Sequence, residues 1–192
     1  MQVNIITTGE SISVRNIFIS ADYHLGHANV IKFDNRPFDS IHEMNKGIID
    51  NHNSVITNED LFIHVGDLTL ERNYQQVQDK YISKLNGKKL IFINGSHDKW
   101  MKKSSQRYYQ RLELEIDKKD YLVCDHYCMT VWPKSHYGSY STYGHEHLWS
   151  PGQGRSYNVS IALSNYYPVN WTKIKEELAD KENINQLKKK DK

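Results

Sequence analysis

Apolar and polar positions along the chain change their period from segment to segment. Arg15–Ser20 (RNIFIS), Asp60–Val65 (DLFIHV) and Lys88–Ile93 (KKLIFI) are short continuous apolar runs, which read as buried strands. Between the first two, Ser40–Ile56 places Ile41, Met44, Ile48, Ile49 and Val55 at near-helical spacing, with Ser40 as N-cap and Glu43 three residues on. Asn73–Leu85 repeats the helical pattern with Tyr74, Val77, Tyr81, Ile82 and Leu85 and stops at Asn86-Gly87. The later half predicts strands at Tyr121–His126, Cys128–Trp132, Ser141–His145 and Tyr157–Leu163, then a helix at Trp171–Leu178. A flexible lysine-rich tail is expected over 180–192. Strand–helix–strand–helix–strand followed by mostly strands predicts an α/β layer fold in which βαβ units meet a second sheet. One domain over residues 1–192 is expected.

Composition narrows the class. The 192 residues are 38% hydrophobic and 25% charged. A chain of this length buries about 70% of its unfolded surface, which excludes a disulfide-dependent miniprotein and a disordered chain. The net charge of +2 gives no bulk electrostatic case for nucleic-acid binding. No apolar run reaches the roughly 18 residues of a membrane-spanning helix. Met1–Glu10 lacks the basic and apolar regions of a signal peptide, so a cytoplasmic location is expected. Cys124 and Cys128 would be about 13 Å apart on an extended strand, too far for a disulfide. They read as reduced packing residues.

The ten histidines are not spread evenly. Asp22-Tyr-His24-Leu-Gly-His27, Gly66-Asp67, Asn94-Gly-Ser96-His97-Asp98 and Gly144-His145-Glu-His147 each close or follow a predicted strand, and His126 ends the Tyr121 strand. Ligands in α/β sheets bind beyond the carboxyl ends of strands, so these segments are expected to converge. Residues two apart in extended chain share a side, which lets Asp22 with His24, and His145 with His147, face one cavity. Two Asp and four His exceed the needs of one tetrahedral ion and suit two ions about 3.5–4 Å apart. Asp67 is the natural bridge, and His97, oriented by Asp98, the candidate general acid. Taken singly, Asp-x-His is a weak signal, Gly-Asp ordinary turn chemistry and Gly-His-x-His a moderate signal, whereas all of them in this order at strand ends are hard to explain as core histidines. His64 is expected to be a packed, hydrogen-bonded core residue. His42, His52 and His136 lie outside the clusters. Tyr108-Tyr109 and Tyr137–Tyr143, with Lys134, Arg155 and the metal cluster, are candidates for stacking a nucleobase.

Asp22-x-His24, Gly66-Asp67, Gly95-Ser96-His97-Asp98, His126 and Gly144-His145-x-His147, in this order over about residues 15–170, resemble the calcineurin-like metallophosphoesterase superfamily. The phrases Ile31-Lys-Phe, Asn35-Arg36-Pro37-Phe38, Asn158-Val159 and Tyr166-Tyr167-Pro168-Val169 are similar to its small bacterial and phage members. The resemblance implies a four-layer α/β/β/α sandwich of two packed mixed sheets with two divalent ions at one end. Manganese is the first choice, with iron, nickel or zinc compatible. It assigns Asp22, His24 and His147 to the first ion, His126 and His145 to the second, and Asp67 to both. It makes His97 the acid with Asp98 as partner, and turns His27 and Arg36 toward the phosphate. A metal-bridging hydroxide would attack a small phosphoester, by family analogy a phosphodiester of nucleotide type, without a protein nucleophile.

Two positions depart from the pattern. Ser96 stands where the family usually has a metal-liganding Asn, and Ala162 where close relatives often carry Asp. Ser96 leaves three readings: a weakened but usable second site, a natural variant of low or altered activity, or a change made to quiet the enzyme. A binding scaffold without catalysis, and a nuclease, are the alternatives to a phosphodiesterase.

Overall fold

The computed structural model describes residues 2–7, 10–103, 108–149 and 151–184. Most of the expected lysine-rich tail therefore lies outside the described residues. In chain order the elements are β1 (Val3–Thr7), β2 (Glu10–Val14), β3 (Ile17–Ser20), α1 (Ala28–Phe33), α2 (Ile41–Val55), β4 (Leu61–Val65), α3 (Tyr74–Lys80) and β5 (Lys89–Ile93). They continue with β6 (Arg111–Ile116), β7 (Asp120–Asp125), β8 (Tyr140–Tyr143), β9 (Ser156–Asn158), β10 (Val169–Asn170) and α4 (Trp171–Glu177). Two mixed sheets result, ordered β10-β3-β4-β5 and β2-β1-β6-β7-β8-β9.

The three apolar runs became β3, β4 and β5, paired in parallel with Ile19 beside Ile63 and Ile63 beside Ile91. Their side chains sort by the two-residue period of a strand. Ile17, Ile19, Leu61, Ile63, Val65, Ile91 and Ile93 face the second sheet, where Leu112, Leu114, Ile116, Leu122 and Cys124 meet them. Phe18, Phe62 and Phe92 face the other way, into Val30, Met44, Ile48 and Val77 of α1, α2 and α3. Burial on both faces is why these strands lack alternation in the sequence. Helix α2 starts as expected: the Ser40 hydroxyl accepts the Glu43 N–H at 3.1 Å, and the Glu43 carboxylate accepts the Asp39 N–H at 2.8 Å. Helix α4 closes one open side of the sandwich. Its Trp171 ring packs against Tyr140 of β8, and Lys175 pairs with Asp120 at the start of β7. The outer face of the six-stranded sheet is covered by Trp132 and Ile184, packed on Val123.

Several segments differ from the sequence reading. Cys128–Trp132 is not a strand but the irregular start of a loop that closes through a 3₁₀ turn at Ser135–Tyr137. Trp132 is buried there, with its indole N–H donating to Ser139. The predicted strand Tyr157–Leu163 is only β9, after which Ile161–Ser164 form a 3₁₀ turn. Asn73–Leu85 is helical as α3 and then tightens into 3₁₀ at Ile82–Lys84. Strands β1, β2, β6 and β10 and helix α1 are additional. Among the described residues no helix is long and apolar enough to cross a membrane.

Ile63 is fully buried between the two sheets at the middle of β4. Ile63→Ala is expected to lower the unfolding free energy by about 3–4 kcal/mol. Urea denaturation with an unchanged m-value checks this, and a loss below about 1 kcal/mol would contradict the packing described.

Candidate metal centre

Every residue of the expected cluster follows the carboxyl end of a strand: Asp22 and His24 after β3, Asp67 after β4, Ser96 and His97 after β5, His126 after β7, His145 and His147 after β8. The loops are tied to one another through the backbone. Asp22 N–H donates to Gly66 O at 3.0 Å, His24 N–H to Asp67 O at 3.0 Å and Gly144 N–H to His126 O at 3.1 Å. Asp22, His24, Asp67 and His145 hold left-handed backbone angles, with φ of 59°, 51°, 59° and 71°. Such residues each cost on the order of 1 kcal/mol, and Asp and His tolerate the conformation better than most. The turns aim successive side chains inward where an extended chain would carry them past the cavity. Two motif glycines are steric necessities. A Cβ on Gly95 would stand 2.2 Å from the Asp67 nitrogen, and one on Gly66, whose φ is +90°, would stand 2.3 Å from His126 Nδ1.

Asp22, His24 and His147 bring one donor atom each to within 4.8 Å of one another, and so do Asp67, His126 and His145. Asp67 lies between the two groups: its Oδ2 is 3.8 Å from His24 Nε2 and 3.5 Å from His126 Nε2. The ring tautomers suit cation binding. His126 Nδ1–H donates to Val65 O at 2.9 Å, and His147 Nδ1–H reaches the Asp34 carboxylate at 2.8 Å. Each Nε2 then faces the cavity, where loss of its proton frees a lone pair for a cation. His24 Nε2 faces His147 Nε2 at 3.0 Å. Two imidazole lone pairs at that distance repel unless a proton or a cation stands with them. His126 Nε2 is buried without a hydrogen-bond partner. This donor chemistry fits divalent ions.

Charge follows burial and neighbours. Burial pushes the Asp22 carboxyl up to about 6 and the His24 imidazole down to about 2. Burial also opposes charge on Asp67, but the neighbouring charge of His126, the His97 N–H and His24 outweigh it and hold Asp67 below the usual carboxylate range. Burial disfavours a charged His126, yet the Asp67 and Asp22 carboxylates raise its pKa to about 9.

Other expected site residues need individual comment. His97 stands at the mouth, its side chain 46% exposed and its Nε2 4.0 Å from Asp67 Oδ2. The His27 ring lies 5.6 Å from His24 and 6.5 Å from His97. Ser96 Oγ donates to Asp67 Oδ2 at 3.0 Å, so its hydroxyl braces that carboxylate. Asp98 does not orient His97. It is buried beneath the loop and accepts the N–H groups of Asp67, Leu68, Thr69 and Gly95 and the Trp100 indole N–H. Five donors on a buried carboxylate make it the clasp that fixes the β4 and β5 turns. Arg36 does not face the cavity either. Its side chain is fully buried, and its guanidinium donates to Asp34, to Tyr23 O and to Asp22 O. A planar fork with five donors is what three acceptors in one plane require. Asp34 thus joins Arg36 to His147, a contact that the sequence reading missed although Asp34 precedes the Asn35-Arg36 phrase. His64 is packed but not hydrogen-bonded: it lies edge-on to Tyr23 at 4.7 Å with neither ring nitrogen partnered. His52 is a further buried support. It accepts the Tyr23 hydroxyl at 3.0 Å and donates to Asn86 O at 2.9 Å, which pins the residue between Asp22 and His24.

A family model described as calcineurin-like phosphoesterase matches residues 15–190. The chain belongs to the calcineurin-like phosphoesterase family. A Methanocaldococcus jannaschii relative, the uncharacterized protein MJ1445, is 32% identical over 162 residues, covering 82% of this chain and 88% of that one. The solved structure of AQ665 from Aquifex aeolicus, a protein of unknown function, superposes with a TM-score of 0.66 at 20% identity, covering 84% of this chain and 98% of that one. That likeness speaks for the fold alone. As a calcineurin-like phosphoesterase the chain is of a metal-dependent family, and the two donor groups are its possible ligand clusters.

Two expectations follow for this phosphoesterase. Asp34→Asn weakens the carboxylate behind His147 and is expected to lower affinity for one divalent ion by about 10–100-fold. Manganese titration followed by calorimetry measures it, and unchanged affinity would reduce the Asp34 contact to packing. Uptake at the second group requires neutral His126, which holds a proton until pH rises to about 9. His147 is raised as well, so manganese binding near neutral pH is expected to release protons, with affinity climbing as pH rises. Calorimetry in two buffers of different ionisation enthalpy counts those protons, and identical heats would contradict their release.

Proposed function

We propose that the chain is a dinuclear metal-dependent phosphodiesterase that hydrolyses a small phosphodiester of nucleotide type. The observation that carries this reading is Asp67, whose single oxygen Oδ2 lies within 4 Å of a ring nitrogen from each donor group. A carboxylate so placed suits ions about 3.5–4 Å apart. The carboxylates and imidazoles suit manganese, with iron, nickel and zinc as alternatives. When bound, such ions neutralise charge on a phosphate and lower the pKa of a water to about 7.

The remaining work falls to the chain's own side chains. Asp22, His24 and His147 would hold one ion and His126 and His145 the other, with Asp67 placed beside both groups. His97, exposed at the mouth, carries the proton that the leaving oxygen takes up, and His27 beside it donates to a phosphate oxygen. The Ser96 hydroxyl, turned onto Asp67, leaves room for water where a longer amide would reach the second ion. Phe33 and Tyr127 support a substrate with planar groups. They are 74% and 49% exposed, and their rings lie 6.3 Å from His27 and 4.7 Å from His145, on two sides of the centre. Exposed aromatics at the rim of a polar site suit nucleobases. The two free cysteines, Cys124 and Cys128, suit a reducing, cytoplasmic setting.

The deciding experiment is manganese-dependent hydrolysis of bis(p-nitrophenyl) phosphate by the parent chain and by Ser96→Asn. Activity in the parent that EDTA removes is expected, with His97→Asn lowering kcat by about 10²–10⁴-fold. Activity only in Ser96→Asn would make this chain a quieted form of the enzyme. Silence from both, with manganese, iron, nickel and zinc each tried, would remove the phosphodiesterase reading and leave a binding scaffold.

A further inference from the structure

The tyrosine-rich stretch has a place in the fold that the metal centre does not use. Tyr121 and Tyr140 stand at the amino ends of β7 and β8, whereas His126 and His145 follow the carboxyl ends of the same strands. Five residues of strand separate the two ends, about 16 Å. The expectation of tyrosines beside the metal cluster is therefore corrected for Tyr137 and Tyr140, which line the opposite edge of the sheet with Tyr121, whereas Tyr109 lies beside Ile93 at the end of β5 and Tyr143 ends β8. A cleft of about 370 Å³ opens there between the β6–β7 turn and the loop around Lys134. That volume lies within the range of small-molecule sites.

Its chemistry is specific. Lys118, Lys119 and Lys134 line the cleft, and no carboxylate pairs with any of them among the described residues. Lys134 Nζ sits 3.7 Å above the Tyr121 ring, so a cation–π contact holds its ammonium over the cleft. The Lys134 backbone is left-handed, φ 59°, which turns this side chain into the opening. Arg155 donates to Gly138 O at 3.2 Å and fixes the far wall, and its guanidinium lies 5.4 Å from the Tyr140 ring. Tyr137 is 81% exposed at the lip. Of the two lining carboxylates, Asp120 is already engaged by Lys175 at 2.8 Å, which leaves Glu115. Three ammonium groups without a carboxylate partner among the described residues call for a multiply charged anion, and the exposed Tyr137 ring, with His136 4.0 Å from it, calls for a planar group.

We propose that this cleft is a second binding site, distinct from the metal centre, for a nucleotide: the phosphate on Lys118, Lys119 and Lys134, and the base on Tyr137. The inference stands on the cleft alone and does not depend on the phosphodiesterase reading.

The test is calorimetric titration of the full chain in EDTA with adenosine 5′-monophosphate and with ribose 5-phosphate. One saturable AMP site per chain is expected, with ribose 5-phosphate bound about tenfold more weakly for want of stacking. Tyr137→Ala should weaken AMP by about the same factor and leave ribose 5-phosphate unchanged. Lys134→Asn, which tolerates a left-handed backbone, should weaken both and flatten the salt dependence. Both positions are exposed, and thermal melts that match the parent establish that the variants fold. His145→Ala should change neither affinity. The proposal fails if AMP shows no saturable binding in EDTA. It fails equally if the Lys134→Asn/Tyr137→Ala variant, folded, binds AMP like the parent, or if His145→Ala abolishes binding. Equal affinity for AMP and ribose 5-phosphate would overturn the base contact.

Discussion

How closely the β4 and β5 turns can approach one another governs the whole centre. Asp67 must lie within reach of residues from both sheets, and it does so only because Gly95 has no Cβ to occupy the same space. The Asp98 carboxylate then locks the approach by collecting backbone N–H groups from both turns together with the Trp100 indole. A buried acceptor satisfied by five donors rigidifies, whereas the same carboxylate with lost partners would leave a costly buried charge. The left-handed backbone at Asp22, His24, Asp67 and His145 persists against its own cost because this frame overdetermines it.

A second frame supports the first donor group. Arg36 is buried, and a buried charge is tolerated only when paired and fully hydrogen-bonded. Asp34 supplies the pair, and the carbonyls of Asp22 and Tyr23 supply the rest. Because Asp34 also holds His147, one ion pair sets the direction of a side chain from the far end of the chain and the path of the turn that carries Asp22. The buried Tyr23–His52–Asn86 chain fixes the same turn from below. The guanidinium that the sequence offers to a phosphate is thus spent on geometry.

The sequence was most legible where one rule sufficed. Doubly buried strands read as apolar runs, and their carboxyl ends located the Asp22, Asp67 and His97 segments. Helix α2 announced itself through Ser40 and Glu43. Legibility failed where the signal was tertiary. Strand β6 alternates Leu112, Glu113, Leu114, Glu115 and Ile116 but was overlooked between less regular neighbours, and β1 and β2 acquire their faces only against it. Cys128–Trp132 has strand composition, yet Trp132 is needed as a plug under the loop, and tertiary packing overrode propensity. Asp98 and Arg36 were identified as chemically important, but type and position in a motif do not reveal direction. Whether a carboxylate faces a ring or five amides is decided by where neighbouring turns go.

The two edges of the six-stranded sheet carry opposite electrostatics from one set of strands. At the carboxyl ends, burial keeps His24 neutral, and the Asp67 carboxylate stands among imidazoles in two groups of possible metal ligands. At the amino ends of β7 and β8, ammonium groups stand around tyrosine rings without a carboxylate partner among the described residues. Since a strand shows alternate side chains to each face, β7 can pack Leu122 and Cys124 inward while Tyr121 and Val123 serve the outer surface. The inward set fixes the position of His126 and the outward set shapes the cleft. A change at Tyr121 therefore has little leverage on the centre about 16 Å away, because the intervening residues are held by the core and not by either site.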